Sequence, residues 1–288
     1  MLFYYLKTMH NIHLETFAQI KGIGSASGLF LSNNLLYVIG DNSSYLYEYN
    51  ISTKSLNKIQ LFFGGPSVPS ENIPKALKPD FEVLCQHENV LYILGSGSTA
   101  KRNLMVQYDL VNKKITQTDL TDVYNKLRSA SSINHENFNI EGAIFTGSEW
   151  LLFNRGNGES ATNGIFKIAG SSLAKAEKTS FIRILLPNIN HIASSFTDAV
   201  LHKNKIYFIS TAEDTSSTYN DGEILGSFLG CLDLDTLKLN FIHKISNSQK
   251  FEGITVLKEY ENKIEFLLCE DRDTEELNTT IYKCTLNS

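Results

Sequence analysis

The sequence predicts an all-β chain: a β-propeller of five four-stranded blades, forming one domain over residues 1–288. Three observations predict it. Five segments share one pattern, in which an acid or serine and a small residue lead into an apolar run, a polar turn and a second β-rich run. They begin Ala26-Ser27-Gly28-Leu29, Phe81-Glu82-Val83-Leu84, Ile140-Glu141-Gly142-Ala143, Thr197-Asp198-Ala199-Val200 and Phe251-Glu252-Gly253-Ile254, so that blades start near 25, 80, 139, 196 and 250. The anchor positions 27, 82, 141, 198 and 252 are spaced by 55, 59, 57 and 54 residues, a regularity that marks repeated supersecondary units. The last unit is one strand short, while a strand-like segment at 12–20 stands unassigned before the first. Pairing the two closes the ring and leaves only short, protected edges.

Within each unit the second strand follows a polar hairpin: Leu35–Ile39, Val90–Leu94, Trp150–Phe153, Ile206–Ile209 and Ile264–Leu268. These runs are rich in β-branched and aromatic residues and bounded by turn formers. Third strands are predicted at Tyr45–Tyr49, Leu104–Leu110, Ile165–Ile168, Cys231–Leu234 and Ile281–Thr285. Fourth strands follow at Leu56–Phe63, Ile115–Leu120, Phe181–Leu186 and Leu239–Ile245. Asp122–Ser129 reads as a helix with Thr121 as its N-cap, a decoration between blades two and three. The linkers 64–80 and 121–138 leave six blades as the alternative count.

Composition narrows the function classes. A net charge of −5 argues against a nucleic-acid binder, which carries a basic face. No run reaches the roughly 18 apolar residues of a membrane span, and the apolar start Met1–Leu6 lacks the charged region and cleavage site of a signal peptide. A cytoplasmic protein is the expectation. Cys85, Cys231, Cys269 and Cys284 lie in apolar strand-like runs without CxxC spacing and read as buried thiols, with a Cys269–Cys284 bridge left open.

A hairpin brings the start of its first strand beside the end of its second. Ser27 is therefore expected near Asp41, Glu82 near Ser96, Glu141 near Arg155, Asp198 near Glu213, and Glu252 near Glu270 or Asp271. First strands are innermost in a propeller, so the anchors ring the channel at one mouth. Polar, glycine-rich loops roof it: Gly40-Asp41-Asn42, Gly95-Ser96-Gly97-Ser98 leading to Lys101-Arg102, Asn154-Arg155-Gly156-Asn157-Gly158-Glu159, Glu213-Asp214 leading to Tyr219-Asn220-Asp221, and Glu270-Asp271-Arg272-Asp273. The opposite mouth receives ordinary hairpin tips, with His87 and His202. This asymmetry is the functional clue, because sites collect on loops held by a rigid scaffold.

Carboxylates about 6 Å apart repel by roughly 3 kcal/mol at an effective dielectric near 20. Converging anchors therefore need protonation, pairing with Arg155 and Arg272, or a cation on the axis. Glu82, Glu141, Asp198 and Glu252 form the expected metal set, and an all-oxygen site selects Ca²⁺ or Mg²⁺. A small-molecule ligand is expected to meet Ser27, Asp41, Glu82, Ser96, Asn154, Asp198, Glu213, Glu270 and Arg272. The competing reading is structural, with each anchor acid taking backbone N–H groups of the next blade. His135 and His191 precede the anchors of blades three and four, where a solvated loop position competes with a general-base role. GxSxG, HExxH, the P-loop and a helix-opening GxGxxG are absent from the sequence.

The repeated starts Asn139-Ile140-Glu141-Gly142 and Lys250-Phe251-Glu252-Gly253, with Gly95-Ser96-Gly97-Ser98 and Asn154-Arg155-Gly156, resemble the bacterial propellers called esterase-like activity of phytase. The chain is similar also to the SdiA-regulated propellers, over roughly residues 25–286. The resemblance implies a propeller with an acidic, calcium-binding mouth and phosphoester or ester hydrolysis. Ser27 in the first repeat and Thr197-Asp198-Ala199 in the fourth depart from its Glu-Gly pattern. Three expectations follow. One is a propeller that binds a small ligand and a divalent cation. The second is a metal-assisted hydrolase of phosphoesters, esters or lactones, with Glu141 or Glu252 as base and Arg155 holding the anion. The third is a non-catalytic protein-interaction platform.

Overall fold

The computed structural model describes residues 11–156, 158, 162–215, 222–272 and 274–287. After strand β1 (Asn11–Lys21), the chain builds blade one from β2 (Ala26–Ser32), β3 (Leu35–Gly40), β4 (Tyr45–Asn50) and β5 (Leu56–Gln60). Blade two is β6 (Phe81–His87), β7 (Val90–Gly95), β8 (Leu104–Asp109) and β9 (Ile115–Asp119), followed by helix α1 (Thr121–Ser131). Blade three is β10 (Ile140–Phe145), β11 (Glu149–Asn154), β12 (Gly164–Ala169) and β13 (Thr179–Arg183). Blade four carries the two-residue β14 (Asn188–Ile189) before β15 (Ile192–His202), β16 (Lys205–Asp214), β17 (Glu223–Asp233) and β18 (Leu239–Ser246). Blade five is β19 (Lys250–Tyr260), β20 (Lys263–Asp271) and β21 (Asn278–Asn287), completed on its outer edge by β1. Asn11 pairs with Asn287 and Lys21 with Asn278, so the ring closes at five blades as the repeat predicts.

Each blade is a meander of antiparallel strands whose two faces both meet a neighbouring blade. Apolar side chains therefore run along both faces, and the core divides into five clusters, one at each blade–blade interface. The interface between blades two and three is the most elaborate. Trp150 is fully buried there, with Tyr92 edge-on at 4.8 Å between ring centroids and Phe145 at 5.0 Å, and its indole N–H donates to the Ser171 carbonyl at 2.9 Å. Helix α1 adds Val123, Tyr124 and Leu127 to this cluster, and the Tyr124 hydroxyl donates to the Gly95 carbonyl at 2.7 Å. Gly97 passes beneath it with φ +73°, where a Cβ would lie 2.6 Å from Phe138 and 2.7 Å from Tyr124. Only glycine fits. Thr121 is the first residue of the helix rather than its cap. Leu120 stands at the cap position without a side-chain bond, and Asp119 before it accepts the Thr121 N–H at 2.8 Å and its hydroxyl at 2.6 Å.

The innermost strands share one irregularity. Pairing skips a residue between Ala26 and Gly28, Phe81 and Val83, Ile140 and Gly142, Phe196 and Asp198, and Phe251 and Gly253. The bulged residues are thus Ser27, Glu82, Glu141, Thr197 and Glu252. A bulge inserts one unpaired residue and re-aims the strand, and it is how Glu82, Glu141 and Glu252 come to face the channel mouth. In blade four the structural equivalent of the anchors is Thr197, not Asp198 as the sequence reading had it. All four cysteines are buried free thiols. No helix among the described residues is long and apolar enough to cross a membrane.

Candidate functional site

The bulges open onto a cavity of about 340 Å³ at the wide mouth. Its floor is formed by Glu82, Glu141 and Glu252, and its wall by Asp41, Asp80, Arg102, Asn139, Arg155, Glu213, Lys250 and Asp271. The loop joining blades one and two crosses above, bringing Asn72, Ile73, Pro74, Lys75 and Lys78 to the rim. That loop is fastened on both sides: Ile73 N–H donates to the Asn42 carbonyl at 2.9 Å, and the Asn72 side chain donates to the Glu275 carbonyl at 3.0 Å across the mouth. Two residues beyond each bulge, Leu29, Leu84, Ala143, Ala199 and Ile254 line an apolar recess of about 140 Å³ toward the opposite end. The channel is polar at one mouth and apolar at the other.

Ion pairs organise most of the wall. Arg155 sits among three carboxylates, 3.3 Å from Glu141, 3.6 Å from Glu252 and hydrogen-bonded to Glu213 on blade four. Asn139 donates to the same Glu141 oxygen at 2.6 Å. Lys250 lies 2.9 Å from Glu252 and 3.6 Å from Asp271. Lys78 bridges Asp41 and Asp80, at 2.8 Å from the latter, and Arg102 meets Asp80 at 2.8 Å. Glu82 stands apart. It is 9% exposed, lines the cavity, and makes no hydrogen bond or ion pair among the described residues. Burial pushes its carboxyl well above the usual range, and Glu141, Asp80, Glu252 and Asp41 push it further. Burial also raises Glu141, to about 7, against the pull of Arg155. Asp80 moves the other way: burial would raise it, but Lys78 and Arg102 outweigh that and hold it low.

The structure therefore gathers Asp41, Glu82, Glu141, Arg155, Glu213 and Glu252 from the sequence-predicted residues and places the others elsewhere. Ser27 donates to the Phe81 carbonyl of the next blade at 2.5 Å. Ser96 donates to Asp80 behind the wall. Asn154 accepts the Asn139 N–H at 3.1 Å and holds the loop after β11 by donating to the Thr162 carbonyl at 2.9 Å. Asp198 accepts the N–H groups of Ala199 at 2.7 Å and Ile254 at 2.8 Å, which ties blade four to blade five and withdraws it from the cavity. Glu270 accepts the Tyr282 hydroxyl at 2.8 Å, and Arg272 is exposed outside the cavity. His135 and His191 are exposed as well. Asn157, Glu159, Tyr219, Asn220, Asp221 and Asp273 lie outside the described residues.

The expected metal set consequently does not assemble. The compact oxygen cluster is Asp41, Asp80 and Glu82, whose ligand atoms lie within 4.8 Å of one another. Glu141 and Glu252 are engaged by Arg155 and Lys250 instead. Sequence reasoning missed Asp80, Lys78 and Lys250 as site residues. A signal for two of them exists: Ser25, Asp80, Asn139 and Lys250 each stand two positions before a bulge, and all four line the cavity. In a strand that spacing returns to the same face.

A sequence profile described as "Family of unknown function (DUF6929)" matches residues 22–286. The chain belongs to this family. No curated protein matches it. Among solved structures, this DUF6929 chain is similar to Myxococcus xanthus glutaminyl cyclase, with 7% identity, a TM-score of 0.54, and 96% of this chain and 97% of that one covered. It is similar to the PQQ-bound aldose sugar dehydrogenase of Streptomyces coelicolor, with 9% identity, a TM-score of 0.53, and 96% and 99% covered. It is similar also to the Malassezia sympodialis allergen Mala s 1, with 11% identity, a TM-score of 0.53, and 93% and 96% covered. At such identities the likeness is one of fold. The propeller implied by the phytase-like motifs is the fold of this DUF6929 member, and their chemistry is a separate matter.

Proposed function

We propose that this DUF6929 protein binds a small polar ligand at the wide mouth together with a divalent cation, Ca²⁺ or Mg²⁺, held by Asp41, Asp80 and Glu82. The observation that carries this reading is Glu82, a buried carboxyl that faces the cavity without a partner. A buried acid in a field of other acids is stable only if it stays protonated or gains a cation. An oxygen-only donor set of this span suits a hard divalent ion. Free buried thiols accord with a cytoplasmic setting, where cysteines stay reduced.

Hydrolysis of a phosphoester or ester is the second reading, favoured by Glu141. Held near neutrality beside Arg155, this carboxyl has the proton affinity of a general base, and the guanidinium supplies planar donors for an anionic group. The bound cation would polarise the scissile group. Both readings meet in one experiment. The full chain is melted after EDTA treatment and again with millimolar Ca²⁺ or Mg²⁺, and the same samples are assayed on an aryl phosphate and an aryl ester. Cation binding to the native state raises Tm by mass action, by an amount worth about 2.7 kcal/mol at a hundredfold excess over Kd. Glu82→Gln should abolish that rise. An unchanged Tm in wild type would remove the cation and leave the interaction-platform reading. Turnover that survives Glu141→Gln and Arg155→Ala would remove those residues from any mechanism.

A further inference from the structure

Lys78 occupies the centre of the acidic cluster. Its ammonium contacts both Asp41 and Asp80, and the lysine side chain is 10% exposed, between Asp80 at 5% and Asp41 at 16%. With Arg102 on the far side of Asp80, three carboxyl groups face two fixed cations, so one negative charge is left over once all three are ionised. The leftover falls on Glu82, the acid without a partner. A second orphan lies in the same cluster: Oδ1 of Asp41 is buried without a hydrogen bond. The protein has supplied a cation of its own to this site and stopped one charge short.

We propose that Lys78 determines which cation the mouth accepts, by acting as a tethered monovalent ion that must be displaced. This inference rests on the cation reading above. A free monovalent ion that replaced the ammonium would leave the cluster's charge unchanged. It would also compete against a tethered group, whose effective concentration is in the millimolar range or higher. Such an exchange gains nothing. A divalent ion changes the balance, because two charges in place of one neutralise Asp41, Asp80 and Glu82 together with Arg102. The donor atoms span no more than 4.8 Å, room for one ion rather than for a diamine with separated charges. The displaced ammonium has a route out, since Lys78 lies on the loop at the cavity rim and Glu275 at that rim is exposed. Selectivity for divalent over monovalent cations thus comes from the chain's own lysine, not only from ligand number.

The test measures Mn²⁺ binding to the full chain by electron paramagnetic resonance of the free ion, in wild type, Lys78→Met and Lys78→Gln. Removing the tethered competitor should tighten Mn²⁺ binding by about tenfold or more. It should also make the melting temperature of the variants respond to K⁺ when choline is the equal-ionic-strength control, a response wild type lacks. Equal or weaker Mn²⁺ binding in a folded variant, with wild type still binding, overturns the lysine inference alone. Absence of Mn²⁺ binding in every protein overturns the cation reading with it. Lysine ¹⁵N NMR of wild type covers the case in which both variants misfold. Lys78 and Lys250 are buried, ion-paired ammonium groups whose protons should exchange slowly, and saturating Mg²⁺ should abolish the slow signal of one. Persistence of both signals at saturating Mg²⁺ overturns the proposal.

Discussion

Single carboxyls at the wide mouth leave a signature in the pH dependence of stability. Glu141 titrates near 4.5 in the unfolded chain and at about 7 in the folded one, because burial disfavours its charge more than Arg155 restores it. Between those values the native state binds more protons than the unfolded state, so stability falls as pH rises through that window. Glu82 acts in the same direction, with burial and four neighbouring acids raising it. Glu141→Gln keeps a neutral, isosteric side chain, while Arg155 retains Glu213 and Glu252. The variant should match wild type near pH 4 and exceed it at pH 8 by up to about 3 kcal/mol, at 1.36 kcal/mol per pKa unit. Urea unfolding at pH 4, 6 and 8 reads this directly. A variant that loses stability at pH 8 would mean that the Arg155 pair outweighs burial after all.

At the level of the strand, the bulge does two jobs, and the residue type decides which. Where it carries glutamate, in blades two, three and five, the side chain faces the cavity. Where it carries a hydroxyl, the side chain turns to the next blade instead: Ser27 to the Phe81 carbonyl at 2.5 Å and Thr197 to the Phe251 carbonyl at 2.6 Å. Both acceptors lie immediately before the next bulge, and both bonds are buried. Ser27→Ala and Thr197→Val should each cost about 1–2 kcal/mol, since a buried carbonyl loses its donor. The two interfaces share no partner, so the double variant should show roughly the sum in urea unfolding. A double variant no weaker than either single would show that one interface already limits the ring. This division of labour also explains what the sequence concealed. Glu82, Glu141 and Glu252 were legible because repetition at a fixed spacing exposes them. Asp198 was misplaced by one residue, because an acid attracts the eye at a position where the geometry needed the hydroxyl of Thr197. A one-residue slip in a strand exchanges one face for the other, and here it exchanged a channel anchor for a staple between blades.

Across the whole molecule, what can be read in the sequence follows period. Blade number, strand order and closure by the N-terminal strand all come from repetition with alternating apolar residues, and the structure has them. Lys78 and the crossing loop around it come from the irregular linker 64–80, which no period describes, and their place over the mouth is fixed by single contacts such as Asn72 to Glu275. Closure itself makes the last prediction. Strand β1 supplies the outer edge of blade five, pairing from Asn11 to Lys21 with β21, and its Ile12, Leu14, Phe17, Ala18 and Ile20 pack into the two interfaces that flank that blade. Nothing covalent joins the ring here among the described residues, and β1 reinforces the direct contacts of blade one with blade five, such as the Leu31 N–H donating to the Thr255 hydroxyl at 3.1 Å. At about 1.5–3 kcal/mol for each large apolar side chain, losing β1 removes on the order of 5 kcal/mol and bares the edge of β21. A chain starting at residue 22 should melt about 10–20 °C lower and associate through that edge. A peptide spanning 11–21, added in trans, should restore part of the Tm. An unchanged Tm in the truncated chain would show that the other four interfaces hold the circle without the clasp.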